Sequence, residues 1–505
     1  MSRPSKVRIR LQPMGKELEV AKGSSLQDLL FAHGVEFPCG GRARCKGCRV
    51  RVIEGDLPLT PEQERLLTKE ECDAGWRLSC QGRAEGDLTL ELAQWEARIL
   101  ADDRAFSFVP REGLGVAVDL GTTTLAAQLL DLKTANVLAV RTGLNPQARH
   151  GADIMSRVSF AMTENGQARL EALIRKEVGK LVRDLLKAAA ADAAAVRDVA
   201  IVGNTVMHHL FCGVNIEPLS HYPFEAVDDG LKIFPAKDLG WDLPNARALF
   251  LPCLGGFVGS DILAGILSTP LRDSADLVAL VDLGTNGEMA VGNRERMLCA
   301  STAAGPAFEG ARISQGMRAA TGAISSASVK DGRLECHVLG EGKARGLCGS
   351  GLVDVVACAL DLGKILPSGR FADGAKELPL LPSVRLTQTD VRELQLAKGA
   401  IAAGVRILLQ QWGATPGDLK ALYLAGAFGN YINRASARRI GLIPYPREVV
   451  HSSGNTALLG AKMALFLSEN EEGVYADLRA RVRHVGLNED PAFQEIYVEE
   501  MGFPS

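Results

Sequence analysis

The residues with the most evident chemistry stand near the N-terminus, in "CGGRARCKGC", where Cys39, Cys45 and Cys48 fall within ten positions. Cys80, in "WRLSCQG", completes a set with the spacing C-x5-C-x2-C-x31-C. Zinc ribbons and knuckles generally use two short C-x2-C pairs, whereas here three thiolates share one loop and the fourth arrives from a distant strand. That asymmetry matches a [2Fe-2S] rhomb wrapped on one side by a single loop. Gly40, Gly41 and Gly47 fit the same picture, because backbone near inorganic sulfide must pass without Cβ clashes and donate N–H groups. Cys72, in "KEECDAG", is the rival fourth ligand, but its setting reads as a charged loop rather than a strand end.

A second set of residues suits phosphate. "GVAVDLGTTTLAAQLLD" and "ALVDLGTNGEMAVG" each run a buried strand into Asp-Leu-Gly-Thr, turn tightly and leave on another strand. The tip of such a hairpin presents backbone N–H groups and hydroxyls to an anion, and the Asp before it can hold Mg²⁺ through water. One hairpin of this kind is an ordinary turn. Two, about 160 residues apart and facing opposite halves of a duplicated fold, make a phosphate clamp. A third glycine element, "LYLAGAFGNYIN", follows a buried strand, and "STAAGPAFEG" and "CGSGLVD" read as glycine loops that open helices.

The elements that position these groups are legible in the periodicity. "KVRIRLQP" alternates Val7, Ile9 and Leu11 with charge, and "KELEV" repeats the alternation, which predicts a hairpin. "SLQDLL" offers Ser25 as N-cap with Asp28 three residues on, and "CRVRVIEG" resumes a strand after the cysteine loop. "LAQWEARILADDRAFSFVPREG" has no apolar period of its own and reads as a connector ending near Gly113. Beyond it helices and strands alternate, as in α/β proteins. "RLEALIRKEVGKLVRDLLKAAA" spaces Leu170, Leu173, Ile174, Leu181 and Leu185 as an amphipathic helix, followed by a buried strand in "VAIVGN". The organisation expected is a module over 1–95, a linker over 96–113 and a larger body over 114–505, with lobes of approximately 114–275 and 276–505.

Composition narrows the setting. A chain of 505 residues exceeds one ordinary core, and a net charge of −3 gives no global reason to expect nucleic acid or an anionic membrane as partner. "MSRPSKVRIR" lacks the apolar segment of a secretory signal, and no run approaches the roughly 18 apolar residues of a membrane span. A cytoplasmic location follows, where eleven cysteines read as ligands or thiols rather than disulfides. Cys253, Cys299, Cys336 and Cys348 are scattered singly and read as buried small hydrophobes rather than a second cluster. His208 and His209, in "GNTVMHHLF", read as a packed pair, with a nucleotide or partner contact as the alternative. Arg42, Arg44, Lys46, Arg49 and Arg51 crowd the cysteine loop, either as a solvated surface or as a dock for an acidic electron donor.

With these residues in view, the N-terminal module resembles the ferredoxins, in the adrenodoxin-like branch with five residues between the first two cysteines. "RLSCQ" is similar to that family's fourth-ligand segment. The resemblance implies an α+β β-grasp fold and one-electron chemistry. The larger body, with two Asp-Gly-Thr hairpins and a late glycine turn, resembles the two-lobed actin-like ATPases of the acetate and sugar kinase superfamily. There the first hairpin is the phosphate-1 loop, the second the phosphate-2 loop and the last turn the adenosine site. By that resemblance Asp119, Gly121, Thr122 and Thr123 line the nucleotide from one side, and Asp282, Gly284, Thr285 and Asn286 from the other. Gly305, Gly426 and Ala427 complete the site, with Mg²⁺ at Asp119 and Asp282, and "CLGGFVGSDILAGIL" resembles the superfamily's interdomain connector.

The order of motifs along the whole chain, from the cysteine module through "VDLGTTT", "NPQARHGADIMSRV", "GNTVMHHLFCGV", "DLGTNGE" and "AAGPAFEGA" to "LAGAFGNYIN", resembles the reductive activators of corrinoid-dependent enzymes. The implied activity is ATP-dependent return of a corrinoid protein from inactive Co(II) to Co(I), with the electron leaving a [2Fe-2S] cluster, in support of a methyltransferase. ATP, Mg²⁺, a corrinoid protein, an electron-donor protein and a homodimer are the implied cofactors and partners. Better-known members carry a linker and a separate middle domain, whereas only about 20 residues separate module and body here. The competing expectations are an ATP-driven electron activator of another low-potential acceptor, and a redox-sensing actin-like binding protein without turnover.

Overall fold

The computed structural model describes residues 5–12, 16–31, 35, 43, 48–92, 106–310, 312–340, 343–467 and 471–505. In the N-terminal module, Lys6–Gln12 buries Val7, Ile9 and Leu11 on one face and pairs antiparallel with Lys16–Ala21, as the alternation requires. The five-stranded sheet runs in the order Lys16–Ala21, Lys6–Gln12, Leu88–Leu92, Arg49–Glu54, Trp76–Leu78. Lys6–Gln12 and Leu88–Leu92 lie parallel, and the helix Leu26–Phe31 adds Leu26 and Leu30 to the core. This is the β-grasp arrangement. Cys72 sits on a short helix, Lys69–Asp73, capped by a reciprocal Thr68–Glu71 box, and not on the charged loop expected.

The first lobe carries a six-stranded sheet in the order Val137–Leu144, Thr124–Asp131, Leu114–Leu120, Val196–Val202, Arg247–Phe250, Lys232–Pro235. The predicted amphipathic helix spans Gly166–Ala189 and buries Leu170, Ile174, Val178, Leu181 and Leu185 against this sheet. The second lobe repeats the plan, with Val450–Ser452, Ala421–Ala425, Val278–Leu283, Gly287–Gly292, Met297–Thr302 and Val482–His484 in order.

The duplication is visible in the register. Leu114–Leu120 pairs antiparallel with Thr124–Asp131 and parallel with Val196–Val202, and Asp119 stands beside Val202. Val278–Leu283 pairs antiparallel with Gly287–Gly292 and parallel with Ala421–Ala425, and Asp282 stands beside Ala425. Each aspartate therefore ends a central strand at the same place in its lobe.

Two short apolar helices, Ser260–Leu267 and Thr456–Ala464, fill the space between the sheets, and their shared core draws on both. They cross so closely that a Cβ on Gly460 would stand 2.2 Å from the Ala264 carbonyl oxygen. "CGSGLVD" opens the helix Gly349–Asp361 as expected. "STAAGPAFEG" opens only a 3₁₀ turn, Pro306–Glu309, because Gly310 follows at φ +78° and ends it.

Among the described residues the module meets the body at a few points. Arg345 of the second lobe donates to Glu91 Oε1 at 2.8 Å and to the Leu92 carbonyl at 2.7 Å, and Arg49 reaches the Ser314 carbonyl at 3.4 Å. Leu144 and Ala148 of the first lobe pack on the module's core. Among the described residues no helix is long and apolar enough to cross a membrane.

Candidate functional site

In the module, antiparallel pairing of Arg49 with Leu78 carries the residue before the first strand and the turn after the second to the same end of the sheet. Those positions are Cys48, and Cys80 on the 3₁₀ turn Ser79–Gln81. Ser79 fastens the two segments, since both its N–H (3.1 Å) and its hydroxyl (2.8 Å) donate to the Cys48 carbonyl. Cys48 is buried and Cys80 half-buried, with Gln81 Nε2 3.8 Å from the Cys80 sulfur. Two cysteines on neighbouring segments with an amide beside one sulfur fit an iron-sulfur cluster and its hydrogen-bonded surroundings. Cys39, Cys45, the glycines Gly40, Gly41 and Gly47, and the basic residues Arg42, Arg44 and Lys46 lie outside the described residues. Arg49 is engaged internally with Glu71 at 3.2 Å. Arg51 stands 3.7 Å from Glu91.

In the body, the two hairpins bring their tips together between the lobes. Behind them stand four acids, of which the sequence named two: Glu288 is buried, and Asp119, Asp261 and Asp282 are half-buried. Asp119 accepts from Asn455 Nδ2 at 2.7 Å, and burial lifts its pKa to about 6. Asp282 is pushed up to about 8 by burial and then by the charges of Asp261 and Asp119. Asp261, on the helix Ser260–Leu267, and Glu288, across from Asp282 in the hairpin, are also raised, first by burial and then by their acidic neighbours. Crowded carboxylates that resist ionisation are relieved by a cation, so this group fits Mg²⁺. Among the described residues no group of three or more acidic, His or Cys side chains is placed to hold a metal ion directly.

The first tip is braced from below. Asn145 Nδ2 donates to the Gly121 carbonyl at 2.9 Å, Asn204 Nδ2 donates to Thr122 Oγ1 at 2.9 Å, and the buried Arg157 donates to the Thr122 carbonyl. Gly121 and Gly284 make the tight turns: a Cβ on Gly121 would lie 2.6 Å from the Thr124 carbonyl oxygen. At the second tip Gly284 N–H donates to the Asn286 carbonyl at 3.1 Å, and Thr285 and Asn286 are buried. Thr123 and Thr285 meet across the cleft, and both donate to Glu309.

A cavity of about 350 Å³ opens beside the tips, lined by Thr123, Glu309, Ser350, Tyr431, Phe308 and Phe428. The last two stack at 4.5 Å. Its size and aromatic wall suit a nucleoside. Gly305, at φ +79°, has no atom within 4 Å of where a Cβ would stand. Gly426, at φ +81°, lies against the second hairpin, where a Cβ would stand 2.5 Å from Asp282 Oδ1. It flanks the carboxylate. Ala427 opens the helix Gly426–Tyr431, and its side chain lies outside the described residues.

Other residues singled out in the sequence have packing roles. His208 Nε2 lies 3.0 Å from the Gly230 carbonyl and His209 Nδ1 2.9 Å from that of Thr205, and burial holds His208 down to about 4. Cys253, Cys299 and Cys348 are buried, Cys336 is half-buried, and burial raises the thiol pKa of Cys253, Cys299 and Cys336.

A β-grasp iron-sulfur module joined to two actin-like lobes that meet over a carboxylate-lined cleft defines a redox-coupled ATPase. Comparison with known proteins carries this further. Residues 9–85 match the 2Fe-2S iron-sulfur cluster binding domain, residues 114–274 the RACo middle region, and residues 276–505 the C-terminal ASKHA domain of RACo. The corrinoid activation enzyme RamQ of Eubacterium limosum is 34% identical over 587 aligned residues, covering 97% of this chain and 98% of that one. A [Co(II) methylated amine-specific corrinoid protein] reductase of Methanosarcina barkeri is 29% identical over 77% of each chain. The solved structure of a reductive activator for corrinoid, iron-sulfur protein shares the fold, with a TM-score of 0.70 at 24% identity over 99% of this chain and 98% of that one. The chain belongs to the RACo family of reductive activators of corrinoid proteins. The middle region expected to be missing is present, since residues 114–274, read from sequence as the first ATPase lobe, are the part that matches it.

Proposed function

We propose that this chain is an ATP-dependent activase that returns a corrinoid protein from inactive Co(II) to Co(I) by one-electron transfer, in support of a corrinoid-dependent methyltransferase. The observation that carries the reading is the union, along one chain that aligns end to end with a corrinoid activation enzyme, of adjacent cluster cysteines and a two-lobed acidic cleft. The [2Fe-2S] cluster supplies a one-electron reductant when bound to Cys39, Cys45, Cys48 and Cys80. Asp119 and Asp282 hold Mg²⁺, with Asn455 keeping Asp119 ionised at lower pH than burial alone allows. The hairpin tips grip the phosphates from both lobes, so nucleotide turnover changes how the lobes sit on each other and on a bound partner. An electron-donor protein, a homodimeric assembly and a cytoplasmic setting belong to the same reading.

ATP is needed because the transfer is uphill. Every 59 mV or so of unfavourable potential costs a factor of about ten in a one-electron equilibrium. The test is MgATP hydrolysis by the full-length holoprotein with and without a Co(II) corrinoid protein. Stimulation is the expected result. Steady hydrolysis indifferent to the corrinoid protein points to a different low-potential acceptor. No hydrolysis under either condition leaves a redox-sensing binding protein without turnover.

A further inference from the structure

The two hairpin tips are tied together by a residue to which the nucleotide reading gives no task. Thr123 of the first lobe donates to Glu309 Oε2 at 3.2 Å, and Thr285 of the second lobe donates to Glu309 Oε1 at 2.7 Å. The two hydroxyl oxygens stand 2.9 Å apart. One carboxylate thus bridges the lobes as two oxygens of a single phosphoryl group would. The arrangement is exclusive, because each hydroxyl has one proton to give. With both protons directed at Glu309, neither threonine can donate to a phosphate oxygen.

The charge beneath the tip points the same way. Arg157 is fully buried and donates to neutral acceptors, the carbonyls of Thr122 and Gly151 (3.0 Å) and Gln147 Oε1 (3.4 Å). Among the described residues it forms no ion pair, and Asp153 and Glu309 are the acids whose charge acts on it. A buried guanidinium is costly unless an anion balances it. Glu309 supplies negative charge across the tip, on the side from which a phosphate would approach. The loop that bears it enters through Gly305, whose left-handed backbone faces open space, and Glu309 borders the cavity beside the tips.

The geometry points to Glu309 as an internal stand-in for a nucleotide phosphate: in the nucleotide-free protein its carboxylate closes the hairpins on each other, and MgATP binds by taking both threonine hydroxyls from it. The inference rests on the reading of this cleft as the nucleotide site and adds that entry to it is competitive. Glu309 is then a positioning residue that sets the affinity for phosphates and leaves that for the nucleoside alone.

The experiment is equilibrium binding of MgADP, the non-hydrolysable MgAMP-PNP and adenosine to full-length holoprotein, as wild type, Glu309→Ala and Glu309→Gln. Removing the competitor is expected to tighten MgAMP-PNP binding about tenfold in Glu309→Ala, or ~1.4 kcal/mol. Glu309→Gln keeps an acceptor oxygen but no charge and shows a smaller gain, MgADP follows the same order, and adenosine binds all three proteins alike. In nucleotide-free Glu309→Ala the backbone amides of 121–123 and 284–286 should exchange hydrogen faster than in wild type, since the lobes have lost their bridge. Weaker MgAMP-PNP binding in either variant makes Glu309 a ligand of the bound nucleotide and overturns the proposal. Unchanged affinity and exchange overturn it equally. If wild type binds none of the three, the nucleotide reading itself falls, which is a separate result.

Discussion

Replacing Asp282 by Asn should make the nucleotide-free protein more stable, and increasingly so as pH rises. Burial and the neighbouring charges of Asp261 and Asp119 raise this carboxyl from 3.8 to about 8. Because the folded protein holds the proton more tightly than the unfolded chain, the group's stabilising contribution is complete below about pH 4 and is lost as pH rises toward 8. Within that window one such group costs ~1.4 kcal/mol per pH unit, so wild type should lose about 2 kcal/mol between pH 6 and 7.5 from this residue. The carboxamide of the Asp282→Asn variant cannot ionise, and its absence of charge also eases the repulsion felt by Glu288. At about 2–4 °C per kcal/mol for bodies of 150–250 residues, the advantage of Asp282→Asn should grow by about 4–8 °C over that range. Differential scanning calorimetry of both proteins at pH 6 and 7.5, without nucleotide or divalent cation, reads it directly. Parallel pH dependence in the two proteins would show that Asp282 is ionised throughout, and the account of the cleft as a cluster of reluctant acids would fail.

Other outcomes follow from the same geometry. Asp119→Ala or Asp282→Ala should abolish MgATP hydrolysis while the visible iron-sulfur spectrum stays unchanged, because the acids and the cysteines belong to separate folded units; joint loss would contradict that separation. Asn455→Ala removes the 2.7 Å hydrogen bond that lowers the Asp119 pKa, so the acid limb of the ATPase pH profile should move to higher pH and the rate fall by about 10- to 100-fold; an unmoved limb would detach Asn455 from Asp119. Cys80→Ser should lose or severely alter the cluster, whereas Cys72→Ser, on its own short helix, should keep two irons and two sulfides per chain; zinc near one per chain without iron-sulfur absorption would refute the ligand assignment.

What the sequence made legible was whatever repeats or alternates. The N-terminal hairpin, the amphipathic helix and the two Asp-Leu-Gly-Thr turns each carry a period or a duplicated motif, and each lies where the pattern puts it. The rest of the cleft is assembled by tertiary contact between single residues. Glu309 is one acid in "STAAGPAFEG", and nothing in its spacing says that it meets threonines 186 and 24 positions away. Asn455 reaches across 336 positions to Asp119 while also capping its own helix through Leu458 N–H, and capping alone would explain it in the sequence. Asp261 and Glu288 did carry a signal, since an acid within the apolar runs "SDILAGIL" and "GEMAVG" is expensive to bury without a purpose. Gly426 entered the expected site through the resemblance of its glycine turn to that of the actin-like ATPases. Only the register beside Ala425 reveals that it abuts Asp282.

The central claim is that ATP drives an electron from the cluster to cobalt. Chemically reduced holoprotein is mixed with a Co(II) corrinoid protein in the presence of a methyl donor, which traps Co(I) as methyl-Co(III), and the yield is read from the absorption spectrum with and without MgATP. The trap is present in both arms, because it alone can draw an unfavourable transfer forward. The account predicts methyl-Co(III) only when MgATP is added. Equal yields in the two arms would leave the module a plain reductase and the two lobes without a part in the transfer.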